Sequence, residues 1–223
     1  MKPKLFLPLI FVLWQLNAFA QNAADRTDQK SVQLNIGTQG VGAEFTYGIL
    51  PHLALRGGVN LIPLKANNVF EISDFNSTSK IAADFYNVHA LADYTPFEQA
   101  AWFRLVGGFA YFFKAKGKVR ISPADDYQYG DLVLSRDQIG YVDLNVDWKG
   151  LAPYLGIGLN STFPKNKFNV GVDLGTYYLS KPDASIIGTG LLTGNASQTG
   201  QFQSNIKDYR WLPVVQLNFN FKL

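Results

Sequence analysis

The sequence predicts an all-β fold: an eight-stranded antiparallel transmembrane β-barrel with short periplasmic turns and long extracellular loops. Three observations lead there. The chain closes on "VVQLNFNFKL" (214–223), where Val215, Leu217, Phe219, Phe221 and Leu223 alternate with Gln216, Asn218, Asn220 and Lys222. Alternation of period two makes a strand with one apolar and one polar face. Similar runs recur along the chain, and the breaks between them are alternately short and long. Finally, 47% of residues are hydrophobic and 14% aromatic, but only 17% are charged, against about 25% in ordinary soluble domains.

Residues 1–20 read as a cleaved signal peptide: Lys2 and Lys4, an apolar run from Leu5 to Leu16, then Ala18-Phe19-Ala20 before Gln21. A lipoprotein signal would need a cysteine after the cut, and the chain has none. Residues 21–28 are assigned to a short periplasmic segment and 29–223 to the barrel. No later stretch approaches the roughly 20 apolar residues of a membrane helix. The net charge of +3 is unclustered, so no nucleic-acid footprint is expected.

The first paired runs lie in "VQLNIGTQGVGAEFTYG" (32–48). Val32, Leu34 and Ile36 are apolar at even positions, while Val41, Ala43, Phe45 and Tyr47 continue at odd ones. The parity flips across "GTQG" (37–40), which fits a bulge or a tight hairpin. The hairpin gives an even strand number, as bacterial barrels require, and would leave Gln39 exposed. Strands follow near 29–37, 40–49, 52–63, 80–94, 100–117, 142–161, 167–180 and 208–223. "YGILPHLA", "YTPFEQAA" and "TFPKNKFN" supply the short turns. The long connections are about 64–79, 118–141 and 181–207.

Lipid is the expected solvent of the apolar faces. Strand direction places Trp211, Tyr178, Tyr111, Phe113 and Trp148 near one rim, and Tyr47, Tyr94, Phe103, Phe168 and Phe221 near the other. Two aromatic girdles with aliphatic residues between them mark such barrels. Pro153 and Pro213 fall inside alternating runs, where a closed barrel offers no free edge, so they are read as bulges, with a parity shift between Trp148 and Leu151.

The polar faces point to the interior. Arg56, Asp93, Arg104 and Asp173 share that parity and form the expected lumen charge network, with Asp173 coming from the opposite wall. Trp102, Phe112, Tyr154 and Tyr177 are the expected lumen aromatics. An eight-stranded barrel is just wide enough for side chains to fill, so the network reads as a plug, with a gated polar path as the alternative. "SIIGTGLLTG" (185–194) is apolar for an outer loop and reads as a lid or a lipid contact.

"GTQGVGAEFTYGILPHLALRGGVN" (37–60), "FRLVGGFAYF" (103–112), "APYLGIGLN" (152–160) and "PVVQLNFNFKL" (213–223) together resemble the small outer-membrane β-barrel proteins of Bacteroidetes-type bacteria. The chain is more distantly similar to the outer-membrane protein W group. The resemblance implies an eight-stranded barrel in a Gram-negative outer membrane, without an agreed activity. In the W group it implies an apolar lumen that passes small hydrophobic molecules.

No catalytic, cofactor or metal residues are assigned. His52 lies by a periplasmic turn and His89 on a polar face, and neither has a serine nearby on its face to activate. Asp125, Asp126, Asp131 and Asp137 lack the spacing of an EF-hand loop. The sequence therefore leads to a non-enzymatic outer-membrane protein with a structural or surface-interaction role. The alternatives are a narrow, porin-like channel or carrier for small, hydrophobic molecules, and a lipid-active enzyme. Expected partners are outer-membrane lipid and lipopolysaccharide, the barrel assembly machinery and a small-molecule cargo.

Overall fold

The computed structural model describes residues 26–69 and 76–223. Residues 1–20, expected to be a signal peptide, and residues 21–25 of the segment after them lie outside the described residues. Eight strands close into a ring. They are β1 (Lys30–Gly37), β2 (Gly40–Leu50), β3 (Leu53–Asn67), β4 (Ser77–Tyr94), β5 (Phe103–Pro123), β8 (Val142–Leu159), β9 (Phe168–Tyr178) and β11 (Trp211–Lys222). Each pairs antiparallel with its neighbours: β8 with β5, on through β4, β3, β2 and β1, then β11 and β9, which returns to β8. The remaining strands belong to the long connections. β6 (Tyr127–Tyr129) and β7 (Leu132–Leu134) form a small hairpin, and β10 (Asp183–Gly188) pairs with β8.

The ring is inside out relative to a soluble domain. Leu34, Ile36, Val41, Leu55, Val59, Leu105, Phe109, Leu151, Leu155, Val170, Leu174, Val215 and Leu217 face outward, between 37% (Leu174) and 72% (Leu155) exposed. The residues between them, among them Gln33, Asn35, Glu44, Asn60, Gln216 and Asn218, are buried in the interior. Aromatic pairs border the apolar band at both ends. Phe168 packs on Phe221 (5.1 Å) at the short-turn end; Tyr178 packs on Trp211 (4.7 Å) and Tyr111 on Phe113 (5.0 Å) at the long-loop end.

"GTQG" is a hairpin. Gly37 pairs with Gly40 across Thr38 and Gln39, and Gly40 takes a left-handed φ of +87° where a Cβ would strike the Leu61 carbonyl. Gln39 departs from expectation: its side chain is buried and donates to Gln216. Thr38 is the exposed turn residue, bonded to Pro213 and Val215 of β11.

The prolines do not mark bulges. Each sits where its strand outruns a neighbour, so the wall does have free edges. Pro213 lies past the end of β1, whose pairing with β11 stops at Gln216. Pro153 lies one residue past Tyr154, where pairing of β8 with β9 stops. Pro63 on β3 lies past the last β2 partner, Leu61. A residue without an N–H is tolerated at such places because the ladder bond is not needed there. Register breaks lie elsewhere: on β5 around Phe113, against both β4 and β8, and on β2 at Ile49 against β3. Trp148 consequently keeps inward parity: it packs on Phe85 (ring centroids 6.2 Å) against the core and is not a girdle residue.

Strands β3, β4, β5 and β8 run 15–21 residues, while β1, β2, β9 and β11 run 8–12. One side of the wall therefore stands higher at the long-loop end. The segment 185–194 joins that wall. Residues 185–188 pair with β8 as part of β10, and a 3-10 helix, Gly190–Gln198, follows. The helix Thr199–Ile206 covers the outer edge of β10, with Gln203 accepting from the Ala184 N–H (2.6 Å) and Thr199 from that of Ile186 (3.0 Å).

Candidate functional site

Two zones fill the barrel. Toward the short-turn end lies a buried lattice of charges. Arg56, near the start of β3, reaches Asp173 (2.7 Å), Glu44 (3.1 Å) and Asp93 (3.3 Å). Arg104, at the start of β5, reaches Asp93 (2.9 Å) and also pairs with Asp173. Two guanidiniums thus share two aspartates, and the planar fork of arginine suits such double engagement. Asp173 stands opposite β3, but it lies only two strands from β5 and meets Arg104 across Gly158. A Cβ at Gly158 would land on the Arg104 guanidinium, so glycine makes room for the pair.

Glu44 completes the lattice and was not singled out from the sequence. Its signal was there: it has even parity on β2, between apolar Ala43 and Phe45. It pairs with Arg56 and with His89 Nε2 (3.3 Å), and accepts from Gln33 (3.0 Å), Asn35 (2.6 Å) and Gln216 (3.2 Å). Thr162, in the turn after β8, also had no sequence signal; it donates to Asp93 (2.9 Å).

Above the lattice is an aromatic zone. Tyr177 is edge-on to Phe112 (5.5 Å) and packs on Tyr154 (4.7 Å), and Phe85 meets Phe112 (6.4 Å). Val106, Ala110, Ala115, Ala152 and Val214 pack around them. A Cβ at Gly175 or Gly156 would collide with the Tyr154 hydroxyl. Trp102, the fourth expected lumen aromatic, is not there. It is 57% exposed in the turn before β5, at the rim of an open hollow of about 970 Å³. Parity has no meaning for a residue that precedes its strand.

That hollow lies at the short-turn end. Arg26 crosses it, donating to Thr95 (2.6 Å) and to the Ala101 carbonyl (3.2 Å), and buried Phe163 helps to line it.

His89 is engaged on both ring nitrogens, with Asn87 (3.3 Å) and Glu44, and His52 sits at the short-turn rim beside Glu98 (3.5 Å). Asp125 accepts from Asn76 (2.7 Å) and Asp126 from the Arg136 N–H (2.9 Å). Among the described residues no group of three or more metal-ligating side chains comes together.

No family model matches the chain, and no curated protein does. Among solved structures it is similar to Acinetobacter baumannii CarO, at 21% identity and a TM-score of 0.62, over 86% of this chain and 96% of that one. It is similar to A. baumannii CarO2 at 20% identity and the same TM-score, over 87% and 98%. Likeness at that identity is a likeness of fold: the chain shares the β-barrel fold of the CarO proteins.

Proposed function

We propose that this chain is a non-enzymatic integral outer-membrane β-barrel protein of a Gram-negative bacterium, with a closed interior and a structural or surface-interaction role. The observation that carries this reading is the inverted alternation. A continuous apolar band bordered by aromatic pairs faces outward, while charges and amides fill the inside. In water the apolar band would far exceed the few hundred Å² of contiguous apolar patch that soluble monomers usually expose. In lipid it is the required surface. The closed role follows from the interior, where every charged group of the lattice has a partner and aromatic packing lies above it. The resemblance to Bacteroidetes-type barrels and to the outer-membrane protein W group belongs to this reading, as do export by a cleaved signal peptide and insertion by the barrel assembly machinery.

The test is folding from urea into lipid vesicles, followed by gel mobility of unheated against heated samples. The wild type should fold and shift. Leu55→Arg should lose about 2–4 kcal/mol if its side chain meets the bilayer midplane, and Asn60→Ser, on the inner face, should fold normally. A protein that is monomeric and soluble without detergent contradicts the reading.

A second reading, a narrow channel or carrier for small molecules, has one observation in its favour. Asn60, Asn220, Thr46 Oγ1 and Gln33 Oε1 are buried beside the lattice without hydrogen-bond partners among the described residues. Buried polar groups of this kind are ordinarily satisfied by water, and a hydrated amide column along β1, β2, β3 and β11 is where a polar path would run.

A further inference from the structure

We propose that the outward face of the tall wall binds the phosphorylated head group of an outer-leaflet glycolipid, at a three-lysine seat centred on Ala82. The proposal rests on the outer-membrane reading above and adds a ligand and a site to it.

The register builds the seat. Lys65 on β3 and Lys118 on β5 stand directly opposite Ala82 on β4, one on each side. Side chains opposite one another on a ladder share a face, with Cβ atoms about 4.5–5.5 Å apart. Lys80 lies two residues along β4 and shares that face. Ala82 contributes nothing beyond its Cβ, so the stems of three lysines border a shallow floor, with the Lys118 ammonium drawn toward Asp143 on β8 (2.8 Å). The face is outward, because Ala82 keeps the parity of Tyr86 and Val88, which are 49% and 39% exposed.

Among the described residues the charge there is only partly cancelled. Lys118 shares Asp143 (2.8 Å) with Arg120 (2.7 Å), Lys116 holds Asp147 (3.2 Å) and Lys114 pairs with Asp84. Lys65 and Lys80 have no ion pair among the described residues. On β3, β4 and β5, six outward cations (Lys65, Lys80, Lys114, Lys116, Lys118, Arg120) face one outward carboxylate on the same strands, Asp84, with Asp143 and Asp147 on neighbouring β8 and Asp183 beyond it on β10.

Height selects the partner. The outer aromatic border on this wall is Tyr86, Tyr111 and Phe113. The bulge at Phe113 turns Lys114 outward immediately after that aromatic, so the outward face changes from ring to ammonium within one residue. Ala82 lies four residues beyond Tyr86, about 13 Å along the strand. A glycolipid whose acyl chains lie on the apolar band and whose sugars lie over the aromatic border would bring its phosphates to the lysines. An ammonium cluster suits phosphate as a set of point charges.

The experiment is native mass spectrometry of the detergent-solubilised barrel with hexa-acylated lipid A carrying two phosphates, and with its phosphate-free form. The wild type should retain the phosphorylated lipid, and lose it at least tenfold more readily after the double substitution Lys65→Glu, Lys80→Glu. Neither lysine is in an ion pair among the described residues, and an unchanged gel shift would show that the variant still folds. Lys165→Glu with Lys167→Glu, at the opposite end, should bind as the wild type does. Equal retention of both lipid forms, or equal binding by the Lys65/Lys80 variant, overturns the proposal. So does complete displacement by millimolar inorganic phosphate, which would make the seat a phosphate site and not a lipid site. A chain that stays soluble without detergent overturns the membrane reading and this proposal together, whereas a folded barrel indifferent to charge reversal overturns this proposal alone.

Discussion

The two halves of the barrel interior fill the same bore with opposite chemistry. Toward the short turns, Arg56, Arg104, Asp93, Asp173 and Glu44 meet at 3.3 Å or less. Toward the long loops, Phe85, Phe112, Tyr154 and Tyr177 fill the same bore by packing. Each ion of the lattice carries a desolvation cost of several kcal/mol, which is offset only while its partners are in place. Aromatic packing is graded: losing a few atoms loses a few contacts. The charged half should therefore fail abruptly when one member is removed, and the aromatic half by degrees. Both halves use glycine for clearance, Gly158 beneath Arg104 and Gly175 beside the Tyr154 hydroxyl.

The largest effect should come from Asp173→Ala. Both guanidiniums lose a partner, and breaking a buried pair costs about 3–5 kcal/mol. Urea titration in vesicles should show a clearly lowered midpoint, and an unchanged one would break the comparison. Filling clearance comes next. Gly158→Ala drives a methyl into a guanidinium that cannot move without leaving its aspartates, so about 1–3 kcal/mol of overpacking is expected. Gly175→Ala should cost a similar amount in the same titration, because its methyl meets both the Tyr154 ring and the Leu155 backbone carbonyl (2.7 Å). The smallest effect should be that of Tyr177→Phe. The Tyr177 hydroxyl is buried without a partner among the described residues, so its removal should change stability by less than about 1 kcal/mol, in the stabilising direction if at all. A loss of several kcal/mol would show that the aromatic half also depends on a polar network.

Much of this arrangement was legible in the alternation. The parity of Arg56, Asp93, Arg104 and Asp173 placed them on interior faces, because a strand side chain has only two directions to take. Parity misled where its premise lapsed. Trp102 precedes β5, so no strand fixes its side. Trp148 was placed outside by assuming a parity shift on β8, when the extra residue sits on β5 at Phe113. Reading the prolines as bulges rests on a closed barrel having no free edge, and the unequal strand heights that open such edges depend on partners distant in sequence. The helical stretch 190–206 carries no apolar stripe of helical period. It is fixed by Thr199 and Gln203 on the edge of β10, a tertiary contact with no local signature.

The claim that joins both halves is that together they close the barrel. Single-channel recording of the wild-type protein in a planar bilayer tests it most directly, on samples whose gel shift shows insertion. A charge lattice beneath an aromatic packing zone predicts a silent membrane at all applied voltages. Steady, reproducible openings, with ion selectivity that changes when Asp173 is neutralised, would contradict it and place the path through the lattice.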